Sequence, residues 1–327
     1  MHPVGSMFTR WFLGNNKLPG WAVVVVENPE DHVRVTLEGH GDSLDITSNH
    51  AILELLPLIV GIGMRPGDAE RIRSAKLCLT FREVQKTGEC GTSDQVIGRV
   101  DLLFDRVISL PECELCLFHL AGGRDYSLPR ARMEVNYLFH RGRLFLDRNP
   151  RNQKMITREL FWLWVLYMRL RPVYLMSYGS EAESNLFPVD LIGFVGSYFL
   201  ISLRNSDPGL SLIHESGRMA LSSVPALYKK NLGRLGSNHR KSMFDWSSIP
   251  IASKLSPCFG IPIPADALSL MELKLIEQHN LGGHTVLVTS LEHRTEFEAA
   301  PQMCFTSRFF QQYLLRQGRP LEVLDEN

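Results

Sequence analysis

The sequence predicts a β-rich α+β chain organised as two domains, and three observations carry the prediction. Its 327 residues are 44% hydrophobic and 21% charged, enough to fill one large core or two domain-sized ones. Short runs of β-branched and aromatic residues alternate with turn-forming clusters along both halves. Between them lies DRNPRNQKM, a polar, proline-containing stretch with the composition of a boundary. We therefore expect a β-rich domain over residues 1–150, a second over 151–295 and a tail over 296–327 that packs on the core or on a partner.

In the first half, WAVVVVE, HVRVTLEG, AKLCLTFREV, QVIGRVDLLF and ECELCLFHL read as strands, separated by turn formers such as ENPED and TGECGTSD. EVNYLFHRGRLFLD predicts a hairpin over Val135 to Leu146, turning at His140 to Gly142. Ser48 or Asn49 is placed to cap a helix beginning His50-Ala51-Ile52-Leu53-Glu54, whose length Pro57 and Gly61-Ile62-Gly63 limit. Cys90, Cys113, Cys116 and His119 offer four zinc-type ligands. The same residues also read as a strand with Cys113, Leu115 and Leu117 on one face and Cys116, Phe118 and Leu120 on the other, both largely apolar. Buried cysteine is the commoner outcome, and no metal is expected.

In the second half, the apolar TRELFWLWVLYM leads to Arg171-Pro172, where helix is disfavoured, and then to a strand over Val173 to Tyr178. LIGFV, SYFLISLR, RMALSSVP, MELKLIEQHNLGG and HTVLVTSLEH read as further strands. A helix is expected from about Gly209 through His214, behind the capping run Asn205-Ser206-Asp207-Pro208, and a basic one over Ala226 to Leu235. In SRFFQQYLLRQGR, Phe309, Phe310, Tyr313 and Leu314 form a helical stripe. The residues show no convincing repeat between the halves, and a diverged duplication of one barrel stays open.

Charge and hydropathy exclude several classes. Lys plus Arg and Asp plus Glu both number 35, so neither nucleic acid nor an acidic membrane surface is expected as a partner. Ala51 to Met64 and Leu160 to Met168 are interrupted or too short to cross a bilayer. MHPVGSMFTR lacks the apolar run of a secretory signal, and the residues before Met7 read as an expression remnant. With six scattered cysteines, the expected location is cytoplasmic. There is no G-x-S-x-G elbow and no H-E-x-x-H, so no covalent nucleophile is predicted.

From Arg171-Pro172-Val173 through Leu291-Glu292-His293, the order of features resembles the flavin reductase-like family of FMN-binding split barrels. RPVYLMSYG looks like that family's opening strand, and SNLFPVDLIGFVGSYFLISLRN like its next two with their flavin-contacting connection. NSDPGLSLIHESGRMALSSVP is similar to its phosphate-side loop, helix and strand. ALYKKNLGRLGSNHRKSMFDW resembles its lid segment, and GGHTVLVTSLEH its closing motif. The resemblance implies a Greek-key split β-barrel holding FMN at a homodimer interface, and an oxidoreductase passing electrons from NAD(P)H through flavin to a small acceptor. It places Asn185, Leu186, Phe187 and Pro188 beside the flavin ring and ribityl chain, Arg204, Asn205, Ser206 and Ser211 at the phosphate, and His284 as the catalytic side chain.

Physical chemistry leaves alternatives open at each position. A phosphate needs N–H groups and hydroxyl or cationic side chains at a concave turn, which Arg204-Asn205-Ser206 supplies, yet Asn205 and Ser206 also suit a plain helix cap. Phe187 also suits a core, His284 a satisfied turn, and His239-Arg240-Lys241 a solvated loop. Asp190 stands where many relatives have a small hydroxyl residue, and Ser242-Met243-Phe244 where they often have Asp-Lys-Phe. A carboxylate beside the flavin disfavours the reduced anion. Two other functions therefore stand beside the reductase: a non-catalytic flavin- or ligand-binding scaffold, and a specialised enzyme whose first half covers the flavin and shapes a substrate pocket.

Overall fold

The computed structural model describes residues 21–324 apart from 40–41, 74, 85–94, 147–154, 156, 181–182 and 249. Residues 1–6, Cys90 and all but the last residue of DRNPRNQKM lie outside the described residues. The first half runs β1 (Trp21–Val26), β2 (Val33–Gly39), β3 (Asp42–Asp45), β4 (His50–Leu55), β5 (Leu58–Met64), α1 (Ala69–Ile72), β6 (Leu77–Glu83), β7 (Val96–Ser109) and β8 (Glu114–Asp125). Two helices follow, α2 (Arg130–Leu146) and α3 (Thr157–Leu166). The second half runs β9 (Arg171–Pro172), β10 (Tyr174–Gly179), β11 (Ser184–Val189), β12 (Ile192–Val195), β13 (Tyr198–Arg204), α4 (Gly209–Ser216), β14 (Arg218–Ser223), α5 (Lys229–Gly236), β15 (Ser253–Leu255), β16 (Pro262–Pro264), β17 (Ser269–Asn280) and β18 (His284–Glu296). The chain closes with β19 (Gln302–Ser307), α6 (Arg308–Arg316) and β20 (Glu322–Val323).

Each half builds a seven-stranded antiparallel sheet, ordered β3-β2-β6-β7-β8-β5-β4 in the first and β11-β10-β14-β17-β18-β13-β12 in the second. With the seven strands of each sheet numbered among themselves, the strand order is the same in both. Among the described residues no pairing closes either ladder into a cylinder, so the barrel expected in the second half takes the form of an open antiparallel sheet. A third sheet, β20-β1-β19-β9, joins the start of the chain to its end.

Two expected elements are corrected. His50 to Glu54 belongs to strand β4, not to a capped helix. Its residues are buried on both faces, and so many apolar side chains in a row remove the period that separates strand from helix. Asn49 caps nothing there: its Nδ2 donates to the Gly63 carbonyl at 2.9 Å and its Oδ1 accepts from the Gly196 amide at 2.9 Å. The Val135 to Leu146 hairpin is instead the body of α2. Pro129 opens that helix, its carbonyl accepting from the Arg132 and Met133 amides, and Gly142 is tolerated within it. Its aromatic-rich composition favoured the strand reading.

Three of the apolar clusters matter most to the site. One core lies in the first sheet and includes Leu163 and Leu166 of α3 with Phe310, Tyr313 and Leu314 of α6, so the amphipathic tail packs on the first half. A second core fills the other sheet around Met176, Phe187, Ile201 and Leu287. The third joins the halves, with Leu53, Ile59, Leu115 and Leu117 packed against Val195, Leu200, Val286 and Val288. Residues Leu115 to Phe118 of β8 therefore have no solvent face, because Leu115 and Leu117 enter the junction while Cys116 and Phe118 enter the first core.

Candidate functional site

A cleft of about 230 Å³ opens where the halves meet. Its wall is built from the connection after β11 (Pro188, Val189, Asp190, Leu191), the end of β13 with its following turn (Ser202, Leu203, Arg204, Ser206), Gly236, His239, Arg240 and His284. The first half contributes Leu55.

His284 begins β18 and is 2% exposed. Its Nδ1 lies 2.6 Å from Oε1 of Glu54, a fully buried side chain of β4. The other oxygen of Glu54 accepts from the Gly283 amide at 2.8 Å and the His284 amide at 2.7 Å. Burial alone pushes the Glu54 carboxyl up, but hydrogen bonds from His284 and the Leu55 and Leu56 amides hold it below its ordinary value. A carboxylate accepting from Nδ1–H fixes the ring's orientation and leaves Nε2 as the proton-exchanging nitrogen of the neutral imidazole.

His239 is set from the opposite wall, with Nδ1 3.3 Å from Asp207 Oδ2 and Nε2 3.1 Å from the Pro188 carbonyl. Asp207 is 4% exposed and also accepts from the Gly209 amide at the start of α4. Gly209 is required by close packing, since a Cβ there would overlap the Tyr178 hydroxyl. At the C-terminal end of α4, Gly217 takes φ +63° and returns its N–H to Ile213 at 2.8 Å. Asp190 is tied back rather than loose in the cleft: Tyr167 donates to its Oδ2 at 2.7 Å.

Of the residues the resemblance assigned to the flavin, Pro188, Arg204, Ser206 and His284 meet in this cleft, beside Asp190, His239 and Arg240. The others lie around it with structural partners. Asn185 Nδ2 donates to the Tyr178 hydroxyl and to the carbonyls of Asn238 and Lys241, and its Oδ1 accepts from the Leu186 amide. That set fastens the 238–241 segment to β11. Leu186 and Phe187 are fully buried, with Phe187 4.1 Å from the His239 ring. Asn205 pins the β17–β18 turn through the Gly282 carbonyl and the Thr285 hydroxyl. Ser211 lines a separate hollow with His214 and Gln278, and its hydroxyl donates to the Pro208 carbonyl.

Glu54 and Leu55 went unseen in the sequence, because nothing in HAILEL signals a partner 230 positions away. Cys113 and Cys116 lie in the junction and the first core, and burial pushes the Cys116 thiol up to about 12. Among the described residues no group of three or more His, Cys, Asp or Glu side chains is arranged to hold a metal.

No protein-family model and no curated protein matches the sequence. Solved structures do match. An NADH:FAD oxidoreductase of Streptomyces globisporus is 14% identical with a TM-score of 0.41, the match covering 55% of this chain and 100% of that one. The flavin reductase component of a bacterial two-component tryptophan halogenase is 13% identical with a TM-score of 0.40, covering 51% and 99%. An FMN-binding protein from Thermus thermophilus is 20% identical with a TM-score of 0.36, covering 46% and 80%. These are likenesses of architecture over about half the chain. No helix among the described residues is long and apolar enough to cross a membrane.

Proposed function

We propose that the cleft binds FMN and that the chain is an oxidoreductase taking electrons from NAD(P)H through the flavin to a small acceptor. The observation that carries this reading is the composition of the cleft: a cation and a hydroxyl, Arg204 and Ser206, at the turn before α4, an apolar wall of Leu55, Val189, Leu191 and Leu203, and a carboxylate-oriented His284. These residues fit the group, since phosphate charge is met by Arg204 and the turn, and a ring is met by apolar surface. When bound, the flavin supplies the hydride and electron transfer.

The rest is the work of the chain. Arg204 and Ser206 bind the phosphate end, while Leu55 and Leu191 exclude water from the ring. His284 holds or moves a proton at Nε2, with Glu54 keeping Nδ1 protonated. The Tyr167 hydrogen bond draws Asp190 to the wall and moderates its repulsion of a reduced anion. The homodimer implied by the resemblance is not needed to complete this cleft, because Glu54 and Leu55 come from the same chain.

The test is an absorbance titration with FMN followed by anaerobic addition of NADH and NADPH. Bands near about 370 and 450 nm that bleach with a nicotinamide support the reading. Bands that persist leave a flavin-binding scaffold, and failure to bind FMN removes the cofactor assignment.

A further inference from the structure

The two large sheets agree beyond their strand order. The β7–β8 ladder slips once between the pairs Asp101–Gly122 and Leu102–Leu120, and again between Phe104–Phe118 and Arg106–Leu117. The β17–β18 ladder slips between Glu272–His293 and Leu273–Leu291, and again between Leu275–Thr289 and Glu277–Val288. In both ladders the first slip skips a residue on the second strand and the second skips one on the first, at the same spacing. This registers Leu110 with Leu281 and Cys113 with His284, and the turns agree: the Leu110 amide donates to Cys113 and the Leu281 amide to His284, each at 2.9 Å.

After β5 and β13 the correspondence continues. The Asp68 amide donates to Arg65 at 3.1 Å and the Asp207 amide to Arg204 at 2.8 Å. Arg65 thus matches Arg204, Gly63 matches Ser202, and Asn49 matches Leu191 through the Gly63–Asn49 and Ser202–Leu191 backbone bonds. The junction core contains both members of each matched pair, Ile59 with Tyr198, Leu110 with Leu281, Leu115 with Val286 and Leu117 with Val288. One surface, used once by each half, is the signature of a two-fold contact. Near its centre Ala51 meets its own counterpart, Gly193, where an added Cβ would lie 3.0 Å from that of Ala51.

We infer that the first half is a second copy of the same fold, serving as the built-in partner of a single ligand cleft. The pseudo-symmetry is broken at the cleft itself. Glu54 matches Val195 and His284 matches Cys113, so the buried carboxylate–imidazole pair on one side becomes a Cys113 thiol 3.9 Å from the Val195 carbonyl on the other. Where the working cleft has Ser202 and Leu55, its mate has Gly63 and Gly196, and the Asn49 side chain fills the gap by bonding both. A Cβ on Gly63 would fall 2.3 Å from Asn49 Oδ1. Asn205 and Ser206 are matched by Pro66 and Gly67, which lack an N–H and a hydroxyl respectively. The 224–268 segment carrying His239 and Arg240 is matched only by 84–95. Glu54 is a positioning residue given by the partner copy to His284 of the copy that binds.

The identity of the ligand rests on the flavin reading, whereas the paired halves do not. Sedimentation equilibrium of the full chain during an FMN titration is expected to show single-chain particles holding one FMN each. A two-chain particle, or two FMN per chain, overturns the inference. A single-chain particle that takes up no FMN upholds the paired halves and removes the flavin assignment alone. Imidazole ¹⁵N NMR, which needs no cofactor, tests Glu54: Glu54→Gln is expected to shift the His284 Nδ1 signal and relax its tautomer, while Cys113→Ser leaves that signal in place. An unchanged His284 spectrum in Glu54→Gln, or an equal change in Cys113→Ser, overturns the assigned asymmetry.

Discussion

The two halves share a strand order and a packing surface but differ in the side chains at the ends of the strands that meet there. Around the second-half cleft stand His284, Ser206, Arg204 and a carboxylate from across the junction. At the matching place in the first half stand Cys113, Gly67, Arg65 and the Val195 carbonyl. The comparison teaches that the fold supplies positions while chemistry is assigned residue by residue, so one architecture holds an equipped site and an emptied one in the same chain.

The sharpest way to break the comparison is at the matched contacts. Glu54→Ala strips a buried imidazole and the amides of Leu55, Leu56, Gly283 and His284 of their acceptor and is expected to cost about 3–5 kcal/mol in urea unfolding. Val195→Ala, its matched change, removes only aliphatic contact and should cost clearly less. Equal losses would mean that the carboxylate pair adds nothing over simple packing.

Next in size is the phosphate end. Arg204→Gln is expected to weaken FMN binding by about 10–100-fold, the cost of one charge-assisted contact, in a fluorescence titration. Arg65→Gln should leave the affinity unchanged, and a matching loss there would indicate a second site. At the centre of the junction, Gly193→Ala brings a Cβ to 2.5 Å from the His50 carbonyl and is expected to destabilise by about 1–3 kcal/mol in thermal unfolding.

The smallest expected effect is one of pH. Glu54 lies below its ordinary value, so its contribution is present above pH 4.5 and is lost as pH falls through the folded-state value. Asp125 runs the other way: burial, only partly offset by Ser127, raises it from 3.8 to about 6, and its Oδ2 has no hydrogen-bond partner. The folded state then binds the extra proton, so this group costs stability as pH rises from about 4 through 6. Unfolding midpoints measured across that range should flatten in Asp125→Asn.

Much of the architecture was legible from local pattern. Most strands of both halves, helix α4 behind Asn205-Ser206-Asp207-Pro208, and the Phe309, Phe310, Tyr313, Leu314 stripe can be read from residues that carry their own turn and period signals. Strand β8 could even be read as apolar on both faces, though not what covered the second face. Legibility fails where the determinant is distant. Strand β4 loses its period because the other half covers it, and Glu54 has no local mark because its partner begins β18. The repeat escaped for the same reason: what the halves conserve is register and backbone bonding, while matched residues such as Cys113 and His284 share no chemistry. Site residues assigned by resemblance divided along similar lines, with Arg204 and Ser206 on the cleft and Asn185 and Asn205 committed to holding neighbouring segments.

The last structural link in the chain also sets the order in which it can be completed. Strand β1 finds its neighbours in β19 and β20, and the first core is finished by Phe310, Tyr313 and Leu314 of α6. During synthesis the first half leaves the ribosome long before those residues exist, so it waits with an open core and an unpaired β1 until β19, α6 and β20 emerge. The copy that carries no cleft of its own is made first and finished later, and a nascent chain halted before α6 would hold both copies with the first still open.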